Sequence, residues 1–325
     1  MPSMPTTIDW LLAGPPFVEV QARLGLLGEG GSPAVREAHR RMIASPEVRA
    51  IVQELQAWPV APLNSHKSAG HPIHKLTFLA DLGLTRGDPG IDRIARRVMA
   101  HASPDGPFQV VMSIQPASGG TAMDTWAWAL CDAPLLVYAL LRFGYQDEPA
   151  VQRALEALTR LVRENGWPCA VSRELRGWRG PGRKDDQCPF ANLAMLKALS
   201  DASMRDEHAA RLGTEAILSQ WERRRQDHAY MFYMGTDFCK PKAPMVWYDV
   251  LHVLNVLTAF PWTRGDPRLL DMARHLDAWF DEAGRITPAS VWKAWEGWEF
   301  AQKKEPSRWV TLLALTALQR VGGGA

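Results

Sequence analysis

The sequence predicts an all-α protein, a ring of repeated inner and outer helical hairpins preceded by an N-terminal helical cap. Three observations lead there. Helix starts made of an acidic residue and proline recur with a period of about sixty residues, a more apolar segment precedes each of them, and glycine turns follow most of them with no period-2 strand run between.

Residues 1–60 read as four short helices, in "IDWLLAG", "PFVEVQARLGLLGE", "SPAVREAHRRMI" and "SPEVRAIVQELQAW". Ser32 and Ser45 are the expected caps of the last two, with Pro33 and Pro46 in the first turn. Residues 61–325 form the ring domain. Its outer helices are expected to begin at Pro89, Pro149 and Pro267, 60 and then 118 residues apart, and "MRDEHAARLGTEAILSQWE" supplies the missing phase near Glu207. The acid before each proline can accept from free amides, and proline suits a first turn whose amides have no helical partner.

Ahead of the outer helices lie "HPIHKLTFLADLGL", "DAPLLVYALLRFGY", "CPFANLAMLKALSD" and "WYDVLHVLNVLTAF", and the chain closes with "PSRWVTLLALTALQRV". These are apolar nearly all round, which predicts burial, whereas the outer helices carry charge on one face. The turns "SPDGPF", "RENGWP" and "DEAGRI" punctuate the hairpins.

With 325 residues and 46% hydrophobic composition the chain can bury a large core. The formal charge is only +2, from 37 Lys and Arg against 35 Asp and Glu, which argues against a general nucleic-acid or membrane-surface binder. No run of roughly 18 uncharged apolar residues predicts a membrane span, and "MPSMPTTIDWLLAG" lacks the basic start of a signal peptide, so a cytoplasmic location is expected. Cysteines 131, 169, 188 and 239 are too scattered for a disulfide framework and are expected as free thiols or ligands. Most of the fourteen tryptophans are expected in the core, with a few near a pocket. Nothing in the sequence specifies a protein partner.

Polar residues at the starts of the inner helices are the candidates for chemistry. They are His71, His74 and Lys75, then Cys131 and Asp132, then Asp185, Asp186 and Cys188, then Tyr248, Asp249 and His252, and finally Arg308 and Trp309. The segment "DDQCPF" with "KPKAPMVWYDVLHVL" suggests zinc. Cys188 would give sulfur, Asp186 oxygen, and Asp249 or His252 the third ligand, the last two sharing a helix face at i and i+3. The plainer reading has Asp186 capping the helix and Cys188 packed as a small hydrophobe. "HKSAGHPIHK" gathers His66, His71 and His74, with His74 a candidate for proton transfer.

The hairpin repeat with "NGW"-type turns resembles the α/α-toroid superfamily of terpenoid cyclases and protein prenyltransferase β-subunits, over roughly residues 61 to 325. The resemblance implies a toroid, here with four hairpins and a terminal helix. It implies a zinc site at Asp186-x-Cys188 whose histidine position falls on Asp249, and a diphosphate held by Arg183 and Lys184. Pro189 stands where that family has a tyrosine, and the acid triad of class II cyclases is absent, since Asp124 is isolated. The expected function is prenyltransferase-like or cyclase-like chemistry on a small hydrophobic or anionic molecule. Arg183, Lys184, Tyr248 and Trp309 would bind the substrate, zinc is the expected cofactor, and Asp186, Asp249 and His74 are the acid–base candidates. The alternative is a non-catalytic helical-toroid scaffold.

Overall fold

Thirteen α-helices and two three-residue strands make up the regular structure of the described residues in the computed structural model, which are 4–59, 61–116, 119–120, 122–176, 178, 185–200, 206–226 and 232–323. In chain order the elements are α1 (Met4–Leu12), α2 (Pro16–Gly25), α3 (Pro33–Ala44), α4 (Pro46–Leu55), α5 (Pro72–Asp81), α6 (Ile91–Met99), β1 (Val110–Met112), β2 (Thr125–Ala127) and α7 (Ala133–Arg142). There follow α8 (Pro149–Thr159), α9 (Pro189–Ala198), α10 (Glu207–Arg223), α11 (Val250–Leu257), α12 (Pro267–Asp277) and α13 (Arg308–Gly322). This is the all-α class, with the inner and outer hairpin order of an α/α toroid.

Burial separates the two kinds of helix as the apolar patterns predict. All ten residues of α9 and nine of the ten in α7 are buried, against four of eleven in α12 and four of nine in α6. Each fully buried Leu or Phe contributes roughly 1.5–3 kcal/mol, so the inner helices dominate the apolar stabilisation.

Two details differ from expectation. The outer helix expected at Pro89 begins at Ile91, because Gly90 takes the cap position with φ +88°, where an added Cβ would meet Val52 at 2.7 Å. The strands β1 and β2 pair antiparallel, with Val111 opposite Trp126, and at three residues each they are too short to leave a period-2 signature. Elsewhere the starts match. Pro149 and Pro267 open α8 and α12, Asp266 accepts from Arg268 N at 2.8 Å, and Ser32 accepts from Val35 N at 3.2 Å, whereas Glu148, the acid before Pro149, makes no side-chain cap. Ser45 Oγ instead donates to Met42 O at 2.8 Å.

The chain forms two compact units, one of Met1–Ile51 with Gly235–Ala325 and one of Val52–Met234. In the first, α1, α2 and α3 share a core with α11, α12 and α13, through α2 against α13 and α11 against both its neighbours. In the second, the inner helices α5, α7 and α9 lie side by side, with α8 on α7 and α10 on α9. A buried polar group ties these three inner helices together. Lys197 of α9 donates to Asp81 of α5 at 2.8 and 3.1 Å, and Tyr138 of α7 donates to the same carboxylate at 2.7 Å. Burial pulls the Lys197 pKa down, against the attraction of Asp81.

Candidate active site

In the unit of Val52–Met234, three short segments are laced by backbone hydrogen bonds in front of α7 and α9. Leu130 N donates to Ala170 O at 2.9 Å, and Cys188 N donates to Trp167 O at 2.8 Å, with bridges of Ala129 to Val171 and Pro168 to Gln187. The lacing puts Cys131, Cys169 and Cys188 on adjacent segments, the first and last buried and the middle one partly so. Asn192 fixes the register from inside α9. Its Nδ2 donates to Trp167 O and Cys188 O, both at 2.9 Å, and its Oδ1 accepts from Trp167 N at 2.9 Å. Gly166 has φ +96°, and a Cβ there would lie 2.5 Å from Asn192 Oδ1.

Cys188 occupies the cap position of α9, immediately before Pro189. Cys131 and Cys188 act on each other's titration, and the two respond in opposite directions. Cys131 is the largest influence lowering the Cys188 pKa; burial opposes it, while the Ala191 and Phe190 amides and the nearby His66 assist. Those amides favour charge on sulfur without completing a side-chain cap. Cys131, acted on by Cys188 and buried, has its pKa raised well above the usual thiol value.

His66 lies near enough to Cys188 for the charge of each to act on the other. Its Nδ1 lies 3.0 Å from Asp132 Oδ1 and 2.8 Å from Oδ2, so one imidazole nitrogen faces both carboxylate oxygens. Burial disfavours the charged ring, yet the charge and hydrogen bond of Asp132, with Cys188 adding, raise the His66 pKa. The Asp132 side chain is 1% exposed and that of His66 is 20% exposed, so solvent reaches the pair from the imidazole side. Trp178 tilts against the ring at 6.0 Å. His74 donates from Nε2 to His66 O at 3.0 Å, which supports the His66 backbone, and its buried Nδ1 makes no hydrogen bond. Burial drives the His74 pKa down to about 4, so this ring is neutral at neutral pH. His71 caps α5 by accepting from Ile73 N at 3.2 Å, and its Nε2 faces Ala61 O at 3.1 Å.

The other sequence candidates are placed differently. Asp186 lies half-buried two residues before Cys188, and Cys188 rather than Asp186 holds the cap position, which corrects the reading of Asp186 as the cap of that helix. Asp249 belongs to the other compact unit, where its Oδ1 accepts from His252 N at 2.9 Å and caps α11. Burial is the main reason its pKa rises to about 7, against the His252 amide and the charge of Lys242. His252 Nδ1 donates to Trp247 O at 2.7 Å. Thus Asp249 and His252 meet through carboxylate and backbone amide. Tyr248 packs with Phe238 at 5.7 Å, and Trp309, 2% exposed, packs edge-on against Phe17 at 5.4 Å. Arg183 and Lys184 lie outside the described residues.

Among the described residues no group of three or more His, Cys, Asp and Glu side chains is placed to hold a metal ion. No described helix is long and apolar enough to cross a membrane. The pairing of His66 with Asp132 escaped the sequence reading. Both residues sit at marked positions, ahead of α5 and α7, but no spacing rule links two loops 66 residues apart.

No protein family and no curated protein matches the chain. Among solved structures, it is similar to an unsaturated glucuronyl hydrolase from Bacillus sp. GL1, responsible for the degradation of glycosaminoglycan, with TM-score 0.48 and 14% identity over 94% of this chain and 84% of that one. It is also similar to a protein from Actinoplanes, with TM-score 0.44 and 14% identity over 98% of both chains. At these values neither likeness carries an activity over to this chain, nor membership of the cyclase and prenyltransferase superfamily.

Proposed function

We propose that this chain is an enzyme working through a cysteine nucleophile, with Cys188 as the attacking sulfur and the His66–Asp132 pair as its acid–base partner. What supports the reading is Cys188 at the cap position of α9, in the same compact unit as an imidazole held by a buried carboxylate, with its pKa lowered by Cys131, the first amides of α9 and His66. A thiolate is favoured at a helix N-terminus and beside an imidazolium, and a base oriented by a third group is the usual way a nucleophile is served.

The chemistry this suits is acyl transfer from a small activated substrate. The Cys188 sulfur bonds to the carbonyl carbon, and the leaving group departs with a proton from His66 Nε2, the nitrogen turned away from Asp132. Neutral His66 then takes a proton from water or a second acceptor, whose oxygen or nitrogen attacks the thioester and releases Cys188. Trp178 beside His66 favours a substrate with an apolar body. Arg183 and Lys184, on which the prenyl-transfer expectation depends, lie outside the described residues.

A p-nitrophenyl ester tests the proposal. The expected result is a burst of about one nitrophenolate per chain, absent in Cys188→Ala and slowed about tenfold or more in His66→Ala at pH 7. Iodoacetamide should label native Cys188 at a pH below that of an ordinary thiol, with the midpoint moved upward in His66→Ala. Labelling of Cys188 only after unfolding would overturn the proposal and favour a non-catalytic scaffold.

A further inference from the structure

We infer that the groove between the turn 102–106 and α8 is a binding site for a small zwitterion, an α-amino acid with a short apolar side chain. The groove encloses a cavity of about 240 Å³ in the unit of Val52–Met234, and none of the residues used in the acyl-transfer reading lines it. Its turn belongs to "SPDGPF", a hairpin turn that the acyl-transfer reading leaves unused.

Two elements build the walls. Ser103 N donates to Pro107 O at 2.9 Å and Gly106 N to Ser103 O at 3.0 Å, which closes the turn on itself. The turn is seated on the helix at Gly106, where an added Cβ would lie 3.1 Å from Ala157 Cβ and 3.2 Å from the Arg153 carbonyl oxygen. Asp105, next in the chain to Gly106, is thereby held near Arg153. Arg153 and Glu156 of α8 and its cap residue Arg160 are spaced i, i+3 and i+7, and all three line the cavity from one face.

The charges there are unequally used. Glu156 and Arg160 neutralise each other in an ion pair. Arg153 and Asp105 carry opposite charges into the same cavity, yet neither makes an ion pair with the other or with any described residue. Ser103 is 7% exposed, and its buried hydroxyl has no hydrogen-bond partner among the described residues. Buried polar groups are rarely left so without a water or ligand to answer them.

These features select the ligand. A guanidinium with no carboxylate beside it suits a carboxylate from outside, and Asp105 suits an ammonium. With two arginines against two acids, the lining favours neither a simple anion nor a simple cation. Pro104, Ala150 and Ala157 offer only a small apolar surface, which fits a short side chain. The Ser103 hydroxyl is a second donor for the ligand's carboxylate.

The test is a calorimetric titration of the full chain with L-alanine, propionate and ethylammonium, with the Gly106 amide resonance followed to locate binding. Expected is saturable binding of L-alanine with a Kd of about 1 mM or tighter and a shifted Gly106 amide, each half-molecule binding about tenfold or more weakly. Arg153→Gln and Asp105→Asn, both at exposed positions, should each weaken L-alanine by a similar factor. Propionate or ethylammonium binding as tightly as L-alanine overturns the inference. So does an absence of saturation by about 10 mM, or binding that leaves the Gly106 amide unmoved. The comparison of three ligands on the wild-type chain needs no variant to fold.

Discussion

Asp132 and Asp249 each stand immediately before a buried inner helix, one in each compact unit, and their carboxylates are used differently. Asp249 closes its helix by accepting from His252 N, whereas Asp132 makes no side-chain cap and turns to His66. The position of proline accounts for this. In α11 the second and third residues, Leu251 and His252, both have amides. In α7 the second residue is Pro134, which has none, and Leu135 N donates to the Asp132 carbonyl at 2.9 Å. The Asp132 side chain is thereby left for another partner. A polar residue at an inner-helix start is available for chemistry only where the helix has not already used it. Glu299 is a second example of use, accepting from Arg308 N at 3.0 Å and Ser307 Oγ at 3.1 Å.

The largest test of this contrast is electrostatic. A carboxyl with a pKa of about 7 in the fold and 3.8 when free holds its proton more tightly when folded, so its contribution to stability falls as pH rises from about 4 to 7. The span corresponds to about 4 kcal/mol. Asp249→Asn keeps the cap oxygen and removes the charge, so it should gain stability relative to wild type across that window, measured by urea unfolding. Next comes His66→Ala, which strands the Asp132 carboxylate, and about 3 kcal/mol should be lost at pH 7. Because Asp132 is not a cap, Asp132→Asn should cost less than His66→Ala while abolishing the ester burst.

His74 should give a comparable effect of the opposite sign. Its folded pKa of about 4 lies below the free value of 6.5, so the stability it confers is complete above 6.5 and is lost as pH falls towards 4. The full span is about 3 kcal/mol, and His74→Gln should flatten the acid limb of the stability profile. The smallest effect is that of a cap alone: Asp249→Ala at pH 5 should cost about 1 kcal/mol against Asp249→Asn. Equal stabilities of those two variants would show that the His252 amide bond is not what distinguishes Asp249 from Asp132.

The architecture was legible because helical burial writes a local pattern. Apolar runs predicted the inner helices, and Pro149 and Pro267 marked starts to the residue. Pro89 misled by two residues because Gly90, left-handed at φ +88° where Val52 and Gln56 leave no room for a side chain, takes the cap position of α6. The site was legible only in part. Cys188 and His74 stood out by position, but the groups that act on Cys188 are Cys131, carried on one of three laced segments, and His66, which comes from the loop before α5 and is held by Asp132. Long-range pairing leaves no periodic trace in a single sequence, whereas an Asp-x-Cys spacing does, and the spacing suggested a different set of partners.

The contact between Asn192 and Gly166 has a consequence for how this chain can vary. Asn192 answers three backbone groups across two segments, and Gly166 admits no side chain because that amide lies against it. Neither residue touches a reacting atom, yet together they set where the backbone of Cys188 stands. Drift at the thiols would leave an intact fold without chemistry, while drift at either of these two would displace the chemistry with every reactive residue still present. Distant kin that share this site should therefore be sought by a glycine–tryptophan turn facing an asparagine one turn into the following inner helix, before any search for paired cysteines.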